Sequence, residues 1–168
     1  MRKLSVVNID AGLFSILDSV TDPEVPVLTI LDLGIVREAV FTDDGLIKIV
    51  ITPTYSGCPA MDVIQFEINA ALENAGFHNA IIETNLSPAW TTDWMTEEGK
   101  EKLKKYGIAP PAEKTSDPSF LTGSGKVIAC PHCGSNHTEM ISLFGSTACK
   151  SLYKCNDCKE PFDYFKCH

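Results

Sequence analysis

Long hydrophobic runs, positive charge and recognisable catalytic motifs are all scarce in this sequence. No apolar run approaches the roughly 18 residues that a membrane-spanning helix needs, so we expect no membrane span. Acidic side chains outnumber basic ones by 22 to 14, and such a surface repels phosphate backbones, which argues against a nucleic-acid partner. Phosphate-binding glycine motifs and a Ser/His/Asp arrangement are lacking as well. The sequence therefore does not predict an enzyme that acts alone.

An export signal is not expected either, although the chain begins MRKLSVV. Asn8 and Asp10 interrupt that start before a hydrophobic region can form, so we expect a cytoplasmic protein. In a reducing compartment cysteines bind metal or react more often than they form disulfides. Of the seven cysteines, six lie at Cys130 and beyond, and Cys58 stands alone in the first half. Both groups are candidate sites.

Apolar periodicity predicts a compact α+β domain over residues 1–106, with helices on one face of a small sheet as a two-layer arrangement. One amphipathic helix is expected from Ile9 to Val20, and another after Cys58 that ends at Gly76. A short helix is expected from Thr96, with acidic residues at its start and lysines at its end. Strands are expected at 35–41, 46–53 and 80–86, the first two joined as a hairpin.

Residues 107–125 are rich in proline, glycine, serine and threonine and are predicted to be a linker. The second module, residues 126–168, contains two Cys-x-x-Cys pairs separated by 21 residues. This spacing is typical of a structural zinc site with four thiolate ligands, because two intervening residues allow both sulfurs to reach one ion. We therefore predict an all-β zinc ribbon with strands at 138–144 and 151–154. The predicted zinc ligands are Cys130, Cys133, Cys155 and Cys158.

Two other chemistries remain open for these cysteines: a redox-active pair of thiols, and an iron–sulfur cluster in place of zinc. The module carries five lysines and four acidic residues and is therefore close to neutral, which favours docking to a protein over binding nucleic acid. The three nearby histidines, His132, His137 and His168, are expected to be exposed because four thiolates complete the coordination.

Cys149 and Cys167 fall outside the metal-binding pattern, and a buried or terminal bystander is the default expectation for each. Cys149 lies in a predicted turn between strands, so an exposed functional thiol is kept as an alternative there.

Cys58 is predicted to lie at or beside the start of the second helix, because Pro59 suits a first helical position. Free amides and the positive end of the helix dipole are expected to stabilise its thiolate. Thr54 and Ser56 could hydrogen-bond around the sulfur. The alternative is a small buried hydrophobic side chain at a crowded turn. The residues alone do not decide between the two.

Three segments taken together resemble the MIP18 family, once called domain of unknown function 59 (DUF59). They are Asp22-Pro23-Glu24, Asp32-Leu33-Gly34-Ile35-Val36 and Thr54-x-x-x-Cys58-Pro59, and the resemblance runs from about residue 9 to residue 106. Members of this family assist the assembly or transfer of iron–sulfur clusters. The resemblance implies that Cys58 is the thiol that handles the cluster, with Asp22 and Glu24 near it.

With the ribbon included, the whole chain is similar to the D-subunit family of bacterial phenylacetyl-CoA 1,2-epoxidase systems. The segments TPTYSGCPA, CPHCGS, FGSTACKSLYKC and EPFDYFKCH carry this resemblance. It implies an accessory role in aerobic phenylacetate catabolism, where a di-iron oxygenase built from other subunits works with an iron–sulfur reductase. The expected partners are those subunits, and the expected task is assembly of a client's cluster or iron centre.

A single thiol cannot hold a cluster, so a homodimer, a ligand from the partner or Cys149 would have to complete the site. Two other functions stay open: a structural subunit of the oxygenase without cluster chemistry, and a thiol-dependent redox protein that uses Cys58 with Cys149.

Overall fold

The structure of the chain, a computed structural model, describes residues 8–111 and 127–166. It divides into two compact units, residues 1–99 and 100–168. No helix within the described residues is both long and apolar enough to cross a membrane.

The first unit contains a four-stranded sheet in the order β1-β2-β3-β4. Its strands are β1 (Asn8–Ile9), β2 (Val36–Phe41), β3 (Ile47–Ile51) and β4 (Ala80–Thr84). β2 and β3 form an antiparallel hairpin, as predicted, and Gly45 takes the positive φ that its turn needs. The outer strands β1 and β4 run parallel to their neighbours. β1 is not predicted from the sequence, and Ile9, which is expected to begin the first helix, belongs to this strand instead.

Two helices cover one face of this sheet: α1 (Ala11–Leu17) and α2 (Ala60–Asn74). Asp10 caps α1 by accepting a hydrogen bond from the amide of Gly12. The predicted inward face of β3 is confirmed, since its three isoleucines are almost completely buried. They share the core with apolar residues of the two helices, namely Leu13, Leu17, Ile64, Ile68 and Leu72.

A buried carboxylate organises the loop that precedes β2. Asp32 has no exposed surface, and its oxygens accept hydrogen bonds from the Thr29 amide at 3.1 Å and the Thr96 hydroxyl at 3.2 Å. Its carbonyl accepts the amide of Thr96 at 2.9 Å. The loop is therefore joined to a segment that lies 64 residues later in the chain. A buried carboxylate is tolerated only when it is hydrogen-bonded in this way.

The neighbouring Gly34 is held against the same later segment. Its φ is +69°, and a Cβ atom at this position would overlap the carbonyl group of Trp94. The indole nitrogen of Trp90 donates to the carbonyl of Leu33 at 2.9 Å, and the Arg37 guanidinium lies 3.7 Å from the centroid of the Trp94 ring. Only glycine fits a position that combines this backbone conformation with so close an approach.

The second unit contains a sheet in the order β5-β8-β7-β6. Its strands are β5 (Ile108–Ala109), β6 (Thr138–Ser142), β7 (Lys150–Cys155) and β8 (Pro161–Phe165). β7 pairs antiparallel with both β6 and β8, whereas β5 runs parallel to β8. The two predicted ribbon strands correspond to β6 and β7, and the prediction missed β5 and β8.

The division between the units differs from the predicted one. It falls after Gly99, inside α3 (Glu97–Tyr106), the short helix that the charge pattern predicted. The predicted linker 107–125 is wrong at its start, because Ile108–Ala109 form a strand of the second sheet. Residues 112–125 of that linker lie outside the described residues.

Replacing Gly34 with alanine is expected to lower the free energy of unfolding of the first unit by about 2 kcal/mol or more, because strain at positive φ adds to the steric overlap. Gly45→Ala is the matched control. Its φ is +80°, but a Cβ atom there would meet nothing within 4 Å, so only the backbone cost of about 1 kcal/mol is expected. Urea unfolding followed by tryptophan fluorescence measures both, since Trp90 and Trp94 lie in this unit. Equal losses for the two variants would contradict the steric argument.

Candidate functional site

The four predicted zinc ligands converge at one point of the second unit. The sulfurs of Cys130, Cys133, Cys155 and Cys158 all lie within 4.8 Å of one another. Each Cys-x-x-Cys segment forms a tight turn that we call a knuckle. The shortest distances between sulfurs join one knuckle to the other, at 3.7 Å for Cys130–Cys158 and 3.6 Å for Cys133–Cys155. Within the described residues this is the one group of three or more metal-ligating side chains that could hold an ion.

The turn of each knuckle presents backbone amides to the sulfurs. The amide of Gly134 donates to the carbonyl of Cys130, and the amide of Lys159 donates to that of Cys155, so both turns have the same form. Gly134 and Lys159 have positive φ values of +77° and +69°. Hydrogen bonding from the Cys158 amide lowers the pKa of Cys155 to about 6. This hydrogen bond favours the thiolate of Cys155, the form that a metal needs. At Cys133 and Cys158 the amides of Ser135 and Glu160 also act to lower the pKa, but desolvation and the neighbouring cysteines outweigh them, so the pKa of each thiol is raised, that of Cys158 to about 12.

Asp157 connects the two knuckles through side chains. Its carboxylate accepts a hydrogen bond from the hydroxyl of Ser135 and lies 3.1 Å from Nδ1 of His137. These hydrogen bonds, that of Ser135 first, lower the pKa of Asp157. Asp157 and His137 are exposed and Ser135 is half-buried, and their hydrogen bonds link the two turns that carry the sulfurs.

The separations between the sulfurs fit a tetrahedral metal centre. Zinc with sulfur ligands at about 2.3 Å places any two of those sulfurs about 3.8 Å apart, close to the two shortest distances here. Four thiols also make up the donor set of structural zinc sites. The apolar core beside them is small and comprises Ala109, Ile128, Tyr153, Phe162 and Tyr164 together with the buried sulfurs. A core of this size rarely supplies more than about 3–5 kcal/mol, so a bound metal has a clear structural role.

The remaining cysteines and histidines of the second unit lie outside this group. Cys149 is 5% exposed, and its sulfur lies 3.0 Å from the hydroxyl of Thr147, so it is not the exposed thiol that the sequence left open. His132 and His137 are exposed. Cys167 and His168 lie outside the described residues.

Cys58 occupies the junction between β3 and α2. The chain turns at Tyr55–Cys58, where the Cys58 amide donates to the Tyr55 carbonyl at 3.3 Å and Gly57 has a φ of +81°. Pro59 is the N-cap of α2, which places Cys58 immediately before the helix, beside its start as predicted. The thiol is half-buried. It is therefore neither sealed in the core nor fully open to solvent.

The predicted stabilisation of the Cys58 thiolate is not borne out. Burial raises the pKa of this thiol, and the negative charges of Glu24 and Asp22 raise it further. A hydrogen bond from the backbone of Ala60, at the start of α2, and another from the side chain of Tyr55 act in the opposite direction but do not outweigh them. The helix amides therefore do contribute as expected, yet Cys58 remains an uncharged thiol at neutral pH.

The two carboxylates that act on Cys58 come from the loop after α1. One oxygen of Asp22 accepts the amides of Glu24 and Val25, both at 2.8 Å, which fixes the turn. Asp22 is 9% exposed, whereas Glu24 is half-buried. The structure thus brings Asp22 and Glu24 close enough to Cys58 to affect its ionisation, as the family resemblance implied.

The hydrogen-bonding neighbours of the sulfur include a residue that was not predicted from the sequence. The sequence suggested Thr54 and Ser56, whereas the side chain that hydrogen-bonds to Cys58 is that of Tyr55. The sequence did contain a signal for this contact. Tyr55 and Cys58 are three residues apart, and a turn that starts at Tyr55 and ends at Cys58 brings the two residues together.

Comparison with known families divides the chain into two matched regions. Residues 11–77 match the iron–sulfur cluster assembly protein family, and residues 114–166 match the PaaD zinc beta ribbon domain. The first region includes Cys58, and the second includes all four clustered cysteines.

Individual relatives cover either the whole chain or its first part. A protein of Escherichia coli (strain K12), provisionally named as the D subunit of 1,2-phenylacetyl-CoA epoxidase, is 48% identical over 92% of this chain and 91% of its own length. An Fe-S protein maturation auxiliary factor of Porphyromonas gingivalis is 33% identical over 52% of this chain and 83% of its own. The crystal structure of a DUF59 domain from Bacillus anthracis shares the fold, with a TM-score of 0.51, 24% identity and coverage of 55% of this chain and 88% of that one.

Replacing Glu24 with glutamine is expected to lower the pKa of Cys58, because a negative charge near the thiol is removed. More thiolate is then present at pH 7.5, and alkylation of Cys58 by iodoacetamide should be about twofold faster. Tyr55→Phe should shift the midpoint of the pH–rate profile upward instead, because it removes a hydrogen bond to the sulfur. Mass spectrometry of the Cys58 peptide measures the alkylation rate, at pH 7.5 for Glu24→Gln and over a series of pH values for Tyr55→Phe.

Glu73→Gln is the matched control for this experiment. It removes the same charge at the far end of α2 and should leave the profile of Cys58 unchanged. Equal shifts for Glu24→Gln and Glu73→Gln would mean that total charge, and not the nearby carboxylate, sets the pKa.

Proposed function

This chain belongs to the D-subunit family, in which an iron–sulfur cluster assembly domain is followed by a PaaD zinc ribbon, and on that premise we propose that it is an accessory protein of a phenylacetyl-CoA epoxidase system. Its task in this proposal is to assist the assembly of an iron–sulfur cluster or iron centre in another subunit. Its free thiols fit a reducing compartment, and we place it in the cytoplasm.

The observation that carries the proposal is the environment of Cys58. A half-buried thiol beside two carboxylates has little tendency to ionise alone, but a cation changes this balance because it attracts both the thiolate and the carboxylates. Iron, or the exposed iron of a cluster, is such a cargo. Its binding would displace the thiol proton to solvent and leave Cys58 as one ligand, with Asp22 and Glu24 supplying negative charge beside it.

One protein ligand is too few to retain a cluster, and this suits a carrier. The missing ligands would come from the client or from a second copy of the chain, so the cargo is held only while the partners are together. The burial of Cys149 favours this carrier function over the thiol-dependent redox protein that would need two accessible thiols.

The second unit has a different part in the proposal. Cys130, Cys133, Cys155 and Cys158 would hold a structural zinc ion, which supplies folding free energy that the small core lacks. With all four positions taken by thiolates, this zinc has no open site for chemistry. We propose that the folded ribbon serves to dock other subunits of the epoxidase system, either the oxygenase or its iron–sulfur reductase.

The Cys58→Ser variant tests the role of the first unit. When it replaces the wild-type chain in cells that produce the complete epoxidase system, the iron and sulfide content of the purified reductase or oxygenase should fall to about the level found without this chain, because the only thiol of the first unit is lost. Cys149→Ala is the control and should leave the content unchanged. Normal metal content and epoxidase activity with Cys58→Ser would refute the assembly role. The remaining explanation would then be a structural subunit of the oxygenase without cluster chemistry.

Metal analysis tests the second unit. Freshly purified protein should contain about one zinc per chain, and Cys155→Ser should lose it together with the folded structure of the second unit. Tryptophan fluorescence should still report a folded first unit in this variant, since both tryptophans lie there. Cys149→Ala should keep its zinc. Iron and sulfide in place of zinc in anaerobically purified protein would overturn the assignment.

A further inference from the structure

Four large apolar side chains are exposed where β6 ends. Met140, Ile141, Leu143 and Phe144 are 38%, 54%, 60% and 66% exposed, and we call these four residues the apolar patch. The first two belong to β6, whereas Leu143 and Phe144 lie in the loop that follows it. Grouped apolar exposure of this kind marks an interaction surface more often than scattered single residues do.

The backbone of β6 is irregular at this place. A bulge between Met140 and Ser142 leaves Ile141 without a partner across the ladder that β6 forms with β7. Bulges bend a strand and redirect its side chains, and they protect an edge from pairing with a further strand. The apolar patch is therefore suited to side-chain contacts with another molecule and not to extension of the sheet.

Hydrogen bonds hold the loop that carries Leu143 and Phe144. The Leu143 carbonyl accepts a hydrogen bond from the Lys166 ammonium at 2.5 Å, and the Phe144 amide donates to the Ser142 hydroxyl at 3.2 Å. The next amide, that of Gly145, donates to a carbonyl of β7 at 2.8 Å. Because the loop is fixed before a partner arrives, these two apolar side chains would lose little conformational entropy on binding.

One positive charge lies against the apolar patch. The Lys166 ammonium is 4.5 Å from the centroid of the Phe144 ring, and burial lowers its pKa. Within the described residues it forms no ion pair with a carboxylate, and its hydrogen bond to the Leu143 carbonyl leaves two further N–H groups. A carboxylate that approached Phe144 would therefore meet an ammonium that is already in place.

The charge of the second unit also favours an acidic partner. Residues 1–99 contain 15 acidic and 4 basic side chains, whereas residues 100–168 contain 7 acidic and 10 basic ones. Even with the charge of about −2 that a zinc ion with four thiolates adds, the second unit is far less acidic than the first. An acidic surface would be repelled by the first unit and accepted by the second.

We propose that the apolar patch docks a client subunit of the epoxidase system at an apolar pocket rimmed by carboxylates, with Leu143 and Phe144 in the pocket and Lys166 paired with the rim. This assignment rests on the proposed function and gives its docking role a surface. A second copy of the chain fits less well, because a two-fold contact would place both Lys166 ammoniums in one interface without a carboxylate of the patch to pair them. An anionic membrane fits less well too, since it attracts clusters of basic residues.

Biolayer interferometry of the zinc-loaded full chain with each purified oxygenase and reductase subunit tests the proposal. Phe144→Ala and Leu143→Ala should each raise the Kd for the client by about tenfold, because they remove the side chains that fill its pocket. Lys166→Gln should raise it about threefold and weaken its dependence on salt, which a merely structural role of Lys166 would not change.

Exposed residues of the same type in the first unit provide the matched controls. Phe66 is 68% exposed on α2, and Leu86 is 60% exposed. Phe66→Ala and Leu86→Ala should bind the client as the wild type does. A zinc content of about one per chain in every variant shows that the second unit stays folded.

Three results would overturn the proposal. The first is a wild-type chain that binds no subunit at about 100 µM. The second is equal Kd values for Phe144→Ala and Phe66→Ala. The third is a Phe144→Ala variant that binds the subunits normally but no longer associates with itself or with phosphatidylglycerol vesicles, which would assign the patch to a second copy or to a membrane.

The role of Cys58 is tested separately. Cys58→Ser should bind the client with the wild-type Kd, because the thiol lies in the first unit. Docking that is lost in Phe144→Ala, together with normal client metal content in Cys58→Ser, would support the patch and refute the assembly role. Docking that persists in Phe144→Ala, together with metal-depleted client in Cys58→Ser, would refute the patch and support the assembly role.

Discussion

Whether the Cys58 sulfur is a thiol or a thiolate depends on two opposing sets of interactions. Burial and two nearby carboxylates act on one side, and two hydrogen-bond donors act on the other. Ala60 and Tyr55 favour the thiolate, whereas burial, Glu24 and Asp22 favour the neutral thiol and prevail. The thiol of an empty site is therefore expected to react more slowly with oxidants and electrophiles than an exposed cysteine does, because these reagents attack the thiolate. A cation reverses the contribution of the carboxylates, so the same residues that suppress the thiolate in the empty protein favour it once a positive cargo arrives. The first unit is thus suited to respond to metal and not to act as a general nucleophile.

The two units use cysteine in contrasting ways. In the second unit four sulfurs lie close enough to surround one ion and leave no position for an exchangeable ligand. In the first unit a lone sulfur could supply only one ligand to a metal, and in the proposed function every other position would be open to partners. Retention and exchange place opposite demands on a metal site. In the proposed function the second unit would retain its metal and the first would exchange its cargo, so each would meet one demand without weakening the other.

Local signals predicted much of this structure. Pro59 and Gly76 indicated where α2 begins and where it ends, and the spacing of the knuckle cysteines predicted their convergence. β8 also had a local signal, because Phe162 and Tyr164 alternate with polar residues and are buried, but this was overlooked. β5 has only two residues, too few for any period to be visible.

Long-range contacts explain the remaining differences. The direction in which the Cys58 pKa shifts depends on carboxylates that precede it by 34 residues or more and on burial, neither of which a helix-start pattern contains. Asp32 likewise depends on a distant residue, because one of its hydrogen bonds comes from Thr96, 64 residues later in the chain. β5 has a final consequence for how the chain can be divided. Ala109 and Ile128 belong to the same core, so both ends of the intervening stretch are anchored in one unit, and a single proteolytic cut within that stretch would leave the pieces held together by the sheet. A fragment that began at the first knuckle would lack β5, so β8 would become an edge strand with one side unpaired.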